Sequence, residues 1–183
     1  MCQALLTGIV EGRECGGRMM RDRKLNRLKD YDYAKEGFYF VTVCTQDRKG
    51  WFGDVKGGRM MLNEYGEMVN RYWAEIPRHY ENVELDEFVI MPNHVHGIIN
   101  IVGTEHCSVP TKRTKRVSIS QFIKSFKDVT IKQMRSRYGV YFSWQRSFHD
   151  HIIRGEGDLT RVREYIIDNP LQWEDDEENV HKS

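Results

Sequence analysis

The sequence is poor in the residues that would make it a stapled or a membrane protein. Only four of its 183 residues are cysteine and only four are proline. Cys2, Cys15, Cys44 and Cys107 are widely spread and no two have CxxC spacing, which excludes a zinc ribbon or a thioredoxin-like site. A chain of this length buries a core without disulfides. Long apolar runs are also missing. Stretches such as Gly97-Ile98-Ile99-Asn100-Ile101-Val102 are far too short to span a bilayer, so no membrane partner is expected. No basic start, apolar run and small-residue cleavage site occur in order. With so little cysteine, the expected location is a reducing cytoplasm. An excess of one charge is absent too: 28 Lys and Arg against 27 Asp and Glu leave a net charge of +1.

The charges that are there are unevenly placed. Lys112-Arg113-Thr114-Lys115-Arg116 is a basic run, and Glu174-Asp175-Asp176-Glu177-Glu178 is an acidic one. The acidic run masks a more basic body, a pattern that points weakly to nucleic acid. The plainer reading of both runs, and the favoured one, is solvated surface. Residues 1–21 show no period and read as an irregular arm, residues 22–173 as one domain, and residues 174–183 as an acidic tail.

Hydrophobic patterning orders the elements. Phe38 to Thr45 is β-branched and aromatic, with strand length. Trp51 to Leu62 holds Lys56-Gly57-Gly58, a hairpin turn. Asn63 is placed to cap a helix running to Ile76, which Pro77 should stop. Val83 to Met91 and His94 to Val102 read as strands joined at Pro92-Asn93. Ser118 or Ser120 caps a long helix to Arg137, with Ile119, Phe122, Ile123, Phe126, Val129 and Met134 inward. Ser147 to Arg154 reads as a strand. A last helix is capped by Asp158, carries Leu159, Val162, Tyr165 and Ile166 on one stripe, and ends at Asn169-Pro170. The first six elements form the βαββαβ pattern of a ferredoxin-like α+β domain. That predicts a four-stranded antiparallel sheet with helices on one face, the other face free to bind a ligand.

His94-Val95-His96 is the sharpest local feature. Alternate strand residues point to one side, so the two imidazoles stand close enough to share a metal ion. They read equally as two histidines on a polar sheet face. Tyr165 and Asn169, four apart on a helix, lie one above the other. Tyr165 is a candidate nucleophile and Asn169 a candidate oxygen ligand. The plainer alternatives are a core tyrosine and a helix stop. His149 and His151 also alternate on a strand, to contact DNA, assist proton transfer or serve as a structural pair.

Met91-Pro92-Asn93-His94-Val95-His96-Gly97-Ile98-Ile99 resembles the HUH signature of single-tyrosine transposases. Glu164-Tyr165-Ile166-Ile167-Asp168-Asn169-Pro170 resembles their tyrosine helix. Trp144-Gln145-Arg146-Ser147-Phe148-His149-Asp150-His151 resembles the segment between the two. Arg27 to Tyr33, followed by Gly37-Phe38-Tyr39-Phe40-Val41-Thr42, resembles the family's start. Together they make residues 22–173 similar to the REP-associated tyrosine transposases. The resemblance implies an HUH nuclease fold that cleaves and rejoins single-stranded DNA near hairpins. It implies Tyr165 as nucleophile, forming a 5′-phosphotyrosine, and His94 and His96 as metal ligands with Asn169 third. Mg²⁺ and Mn²⁺ are the candidate ions, Mn²⁺ being more tolerant of imidazole.

Lys112, Arg113, Lys115, Arg116, His149 and His151 are candidates for gripping DNA. The protein is expected as a monomer or homodimer, associated with the nucleoid when on DNA. Three other readings compete: a hairpin-DNA-binding protein of the same fold without turnover, another HUH endonuclease, and a metal-dependent hydrolase that does not use Tyr165.

Overall fold

The computed structural model describes residues 31–103, 117–176, 178 and 179. The arm and the basic run Lys112–Arg116 lie outside the described residues. The domain is built around β1 (Gly37–Cys44), whose side chains alternate strictly. Tyr39, Val41 and Val43 are fully buried on one face, while Phe38, Phe40 and Thr42 point to the other. β1 pairs antiparallel with β5 (His94–Ile101) on one side and with β6 (His149–Ile152) on the other. β4 (Val83–Ile90) pairs with β5 and completes the order β4-β5-β1-β6. Every neighbour is antiparallel, as the βαββαβ pattern requires. A separate hairpin, β2 (Gly53–Lys56) with β3 (Arg59–Leu62), turns at Gly57-Gly58.

Two helices cover the Tyr39-Val41-Val43 face. α1 (Glu64–Ala74) starts where expected: the Asn63 side chain accepts the N–H groups of Tyr65 and Gly66 at 2.9 and 3.0 Å. α3 (Ile119–Tyr138) starts at Ser118, whose N–H donates to the Gln121 side chain. Val129 is only half-buried on α3. Its neighbour Thr130 takes the inward place, and its hydroxyl accepts the buried indole N–H of Trp144 at 2.8 Å. Met68, Val69 and Trp73 of α1 meet Phe122, Ile123 and Phe126 of α3 over the sheet. Gly97 makes the fit possible. A Cβ there would sit 2.6 Å from the Trp73 ring.

Two helix starts differ from the sequence reading. Pro77 does not end the helical path but begins the short α2 (Ile76–His79), since proline lacks only an N–H that a first turn leaves unused. α4 (Glu156–Asp168) begins after Gly155, not at Asp158. Asp158 stands in the first turn, where its carboxylate accepts the Arg154 N–H at 3.0 Å and faces the positive end of the helix dipole.

The second face of the sheet is not open along its whole length. α4 lies across it, burying Leu159 and Ile166 against Ile98 and Ile153. Two such side chains contribute about 1.5–3 kcal/mol each, a thin attachment for a whole helix. A second fastening comes from β4, where one extra residue bulges between Leu85 and Phe88. Asp86 at that bulge receives two hydrogen bonds from the Arg163 guanidinium, at 2.6 and 2.8 Å. Among the described residues no helix is long and apolar enough to cross a membrane.

Candidate active site

The uncovered end of that second face holds the site. His94 and His96 stand opposite Cys44 and Thr42 in the β1–β5 register, both pointing to the α4 side. Both are buried, with ring centroids 4.2 Å apart. Each ring is oriented through Nδ1. His94 Nδ1–H donates to Asn93 Oδ1 at 2.8 Å, and His96 Nδ1 shares a 2.9 Å hydrogen bond with the Thr42 hydroxyl. Since Asn93 Oδ1 can only accept, the His94 proton sits on Nδ1 and Nε2 is left with a lone pair. That Nε2 is buried without a hydrogen-bond partner.

Burial pushes the basicity of His94 down to about 3, with Asn169 opposing the shift and Arg48 adding to it. His96 is also held well below the ordinary imidazole range, first by burial and then by His94, with Asp176 opposing. Two neutral imidazoles with Nε2 atoms inward are suited to a cation, not to carrying charge themselves.

α4 brings Tyr165 over this pair. Its hydroxyl lies 3.4 Å from His96 Nε2. The Phe40 ring stacks on His96 at 5.2 Å and meets Tyr165 edge-on at 5.9 Å, fixing both planes. Tyr165 is 42% exposed, so it leaves the apolar stripe on which the sequence placed it.

Asn169 follows at the end of α4, buried, with its Oδ1 unpaired. Its amide donates to Asp176 Oδ2 at 2.8 Å. Asp176 was hidden in a run read as solvated. The turns after α4 instead fold it back until its carboxylate and the two histidines offer ligand atoms all within 4.8 Å of one another. The unpaired, buried His94 Nε2 and Asn169 Oδ1 beside this carboxylate make a donor set that fits a divalent ion.

The second histidine pair divides. His149 lines the same cleft, of about 320 Å³, with Phe40, Thr42, Arg48, His96, Tyr165, Asp176 and Glu178. His151 instead reaches Asp158 at 2.9 Å and ties β6 to the start of α4. Sequence reading missed Asp176, Asn93 and Arg48. Asn93 had a signal of sorts, being next to the H-x-H pair. Arg48 and Asp176 had none, because the fold alone brings them there.

A split βαβ sheet whose central strand presents paired histidines to a tyrosine on the last helix has the architecture of a tyrosine transposase. The sequence model of the IS200-like transposases matches residues 39–169, and the chain belongs to that family. A protein of unassigned function from Haemophilus influenzae is 37% identical over 166 residues, covering 85% of this chain and 92% of its own. A provisionally named REP-associated tyrosine transposase from the same organism is 27% identical over 143 residues, covering 77% of this chain and 74% of its own. The solved structure of a REP-associated tyrosine transposase bound to a REP hairpin superimposes with a TM-score of 0.55 at 22% identity. That match covers 80% of this chain and 74% of the other, and shows the same fold. The resemblance read from the four motifs is borne out.

Proposed function

We propose that the protein cleaves and rejoins single-stranded DNA beside hairpins, through a covalent link between Tyr165 and a 5′ phosphate. The observation that carries this is the Tyr165 hydroxyl, 3.4 Å from His96 in a cluster whose ligand atoms lie within 4.8 Å of one another. The hairpin-bound relative of the same fold supports the choice of DNA.

The reaction follows from the placement. Tyr165 Oη attacks the scissile phosphorus, an Oη–P bond forms, and the P–O3′ bond breaks. The phenol proton leaves as that bond forms, and the departing 3′ oxygen takes one up. Bond energy is conserved in the phosphotyrosine, so a second 3′-OH reverses the step and joins a new strand without ATP. His94, His96 and Asp176, with Asn169 beside them, would hold a divalent ion, Mg²⁺ or Mn²⁺. Bound there, it supplies Lewis-acid stabilisation of a non-bridging oxygen. Asn93 and Thr42 keep the imidazoles turned to the ligand side, the outer-shell role that sets ligand orientation. Phe40 and the Asp86–Arg163 pair hold the nucleophile in line.

The test is incubation with Mn²⁺ and a pool of single-stranded hairpin oligonucleotides, followed by a denaturing gel. DNA bound covalently to the protein and mapping to Tyr165 is the expected result. Tyr165→Phe should abolish the adduct and retain hairpin binding. Free cleavage without an adduct would favour a hydrolase, and binding without cleavage a recognition protein.

A further inference from the structure

Arg48 lines the cleft without a step in the reaction described so far, yet its conformation and partner are unusual. It follows β1 in a short 3-10 turn (Gln46–Arg48), in which Asp47 and Arg48 both have left-handed backbones, φ 57° and 52°. Two successive non-glycine residues in that region carry a conformational penalty, which persists only where surrounding contacts impose it. The contacts are visible. Asn93, the residue that orients His94, donates from Nδ2 to the Arg48 carbonyl at 3.0 Å. One side chain thus sets both a metal-facing imidazole and the turn that presents Arg48 to the cleft.

The guanidinium is met there by Glu178. Its Nε lies 2.8 Å from one carboxylate oxygen and its Nη2 lies 3.4 Å from the other. Glu178 is held in turn by Asn93, which donates to its backbone carbonyl at 2.7 Å, and by the Cys44 thiol. A carboxylate and a phosphodiester offer the same pair of oxygens to the guanidinium fork. Both residues line the cleft that Tyr165 and His96 also line.

We propose that Arg48 is a catalytic residue that grips a non-bridging oxygen of the scissile phosphate, and that Glu178 holds its place until DNA displaces it. The proposal rests on the transesterase reading above. Tyr165 attacks phosphorus, charge gathers on the two non-bridging oxygens, and one of them faces Arg48 while the other faces the histidine cluster. Arginine suits this task because it stays charged and its donors are fixed in a plane. Removing one such donor typically slows an enzyme by about 10²–10³-fold.

The experiment measures single-turnover adduct formation in Mn²⁺ with the hairpin oligonucleotide that the wild type captures. The oligonucleotide is made either with its normal scissile phosphate or with each methylphosphonate diastereomer at that position. Arg48→Ala should slow the phosphodiester reaction by about 100-fold. On the diastereomer that replaces the oxygen facing Arg48, wild type and Arg48→Ala should react at similar rates, because the charge that the guanidinium answers is gone. Glu178→Gln should match or exceed the wild-type rate. Equal slowing of Arg48→Ala on all three substrates would overturn the proposal, as would an undiminished rate or an equally slow Glu178→Gln. An absence of adduct with wild type itself would instead sink the transesterase reading on which the proposal stands.

Discussion

Asp86 and Arg163 meet along one edge of the guanidinium, whose Nη2 and Nε donate to the two carboxylate oxygens at 2.6 and 2.8 Å, and so tie the bulge of β4 to the helix that carries Tyr165. Bidentate pairs fix direction as well as distance. Arg163→Ala should leave the fold intact and lower the melting temperature by only a few degrees, as expected for a loss of about 1 kcal/mol at this size. Adduct formation should fall much further, by about 10–100-fold, because small misplacements of a nucleophile are costly. Partial recovery of the rate in the exchanged pair Asp86→Arg with Arg163→Asp would assign the effect to their contact. An unchanged rate in Arg163→Ala would show that Leu159 and Ile166 suffice.

The same pair sets a pH dependence. Arg163 beside Asp86 holds its carboxyl below the usual 3.8, against a smaller upward pull from burial. A depressed folded value means that the unfolded chain binds the proton more readily. The stability from Asp86 is therefore complete above pH 3.8 and is lost as pH falls from there through the folded value. Urea midpoints of wild type and Asp86→Asn should differ by a constant amount from pH 7 to about pH 5 and converge in stronger acid. A gap that widens in acid would contradict this.

Asp176 should matter to the ion more than to the fold. Asp176→Asn keeps its volume but removes the one carboxylate of the cluster. Mn²⁺ binding, followed by electron paramagnetic resonance, should weaken by about 10–100-fold, while His94→Ala should abolish it. Saturating Mn²⁺ should raise the wild-type melting temperature and raise that of His94→Ala much less. Equal affinity in Asp176→Asn would leave Asn169 as the third ligand.

Gly97 tests the packing behind the site. Gly97→Ala places a Cβ 2.6 Å from Trp73 and 3.1 Å from Phe88, inside a core with no slack. Overpacking of this kind costs about 1–3 kcal/mol. Trp73→Phe in the same chain should recover part of the loss, as read by denaturant midpoints. Additive losses would mean that Trp73 is not the obstacle.

Cys44 lies under Glu178, and burial followed by that carboxylate pushes its thiol up to about 12. Native protein treated with iodoacetamide at pH 8 should be unmodified at Cys44, as read by peptide mass, and should become reactive in urea. Rapid native alkylation would show that the Glu178 segment opens freely.

The elements that carry local signals were legible in the sequence. Asn63 caps α1 as its side-chain chemistry dictates, and the period-two pattern put His94 and His96 on one face of β5. The tyrosine helix was found too, although spacing alone grouped Tyr165 with the core stripe that it leaves. The residues that escaped are those placed by distant contacts. Asp176 is one of five consecutive acidic residues, and nothing in its neighbours distinguishes it. Only the turns after α4 bring it beneath Asn169. Arg48 escaped for a similar reason, because its strained turn is imposed by Asn93, 45 residues further on. Asp158 and Pro77 were misread locally, since both residue types are as favourable inside a first turn as at its edge.

The strand bearing the histidines and the helix bearing the tyrosine are 69 residues apart at their point of contact, with α3 and β6 between them. During synthesis the central sheet can emerge with its paired imidazoles while the nucleophile has yet to be translated. On the proposed reaction, a fragment that stops before α4 carries His94 and His96 without Tyr165 and should form no adduct.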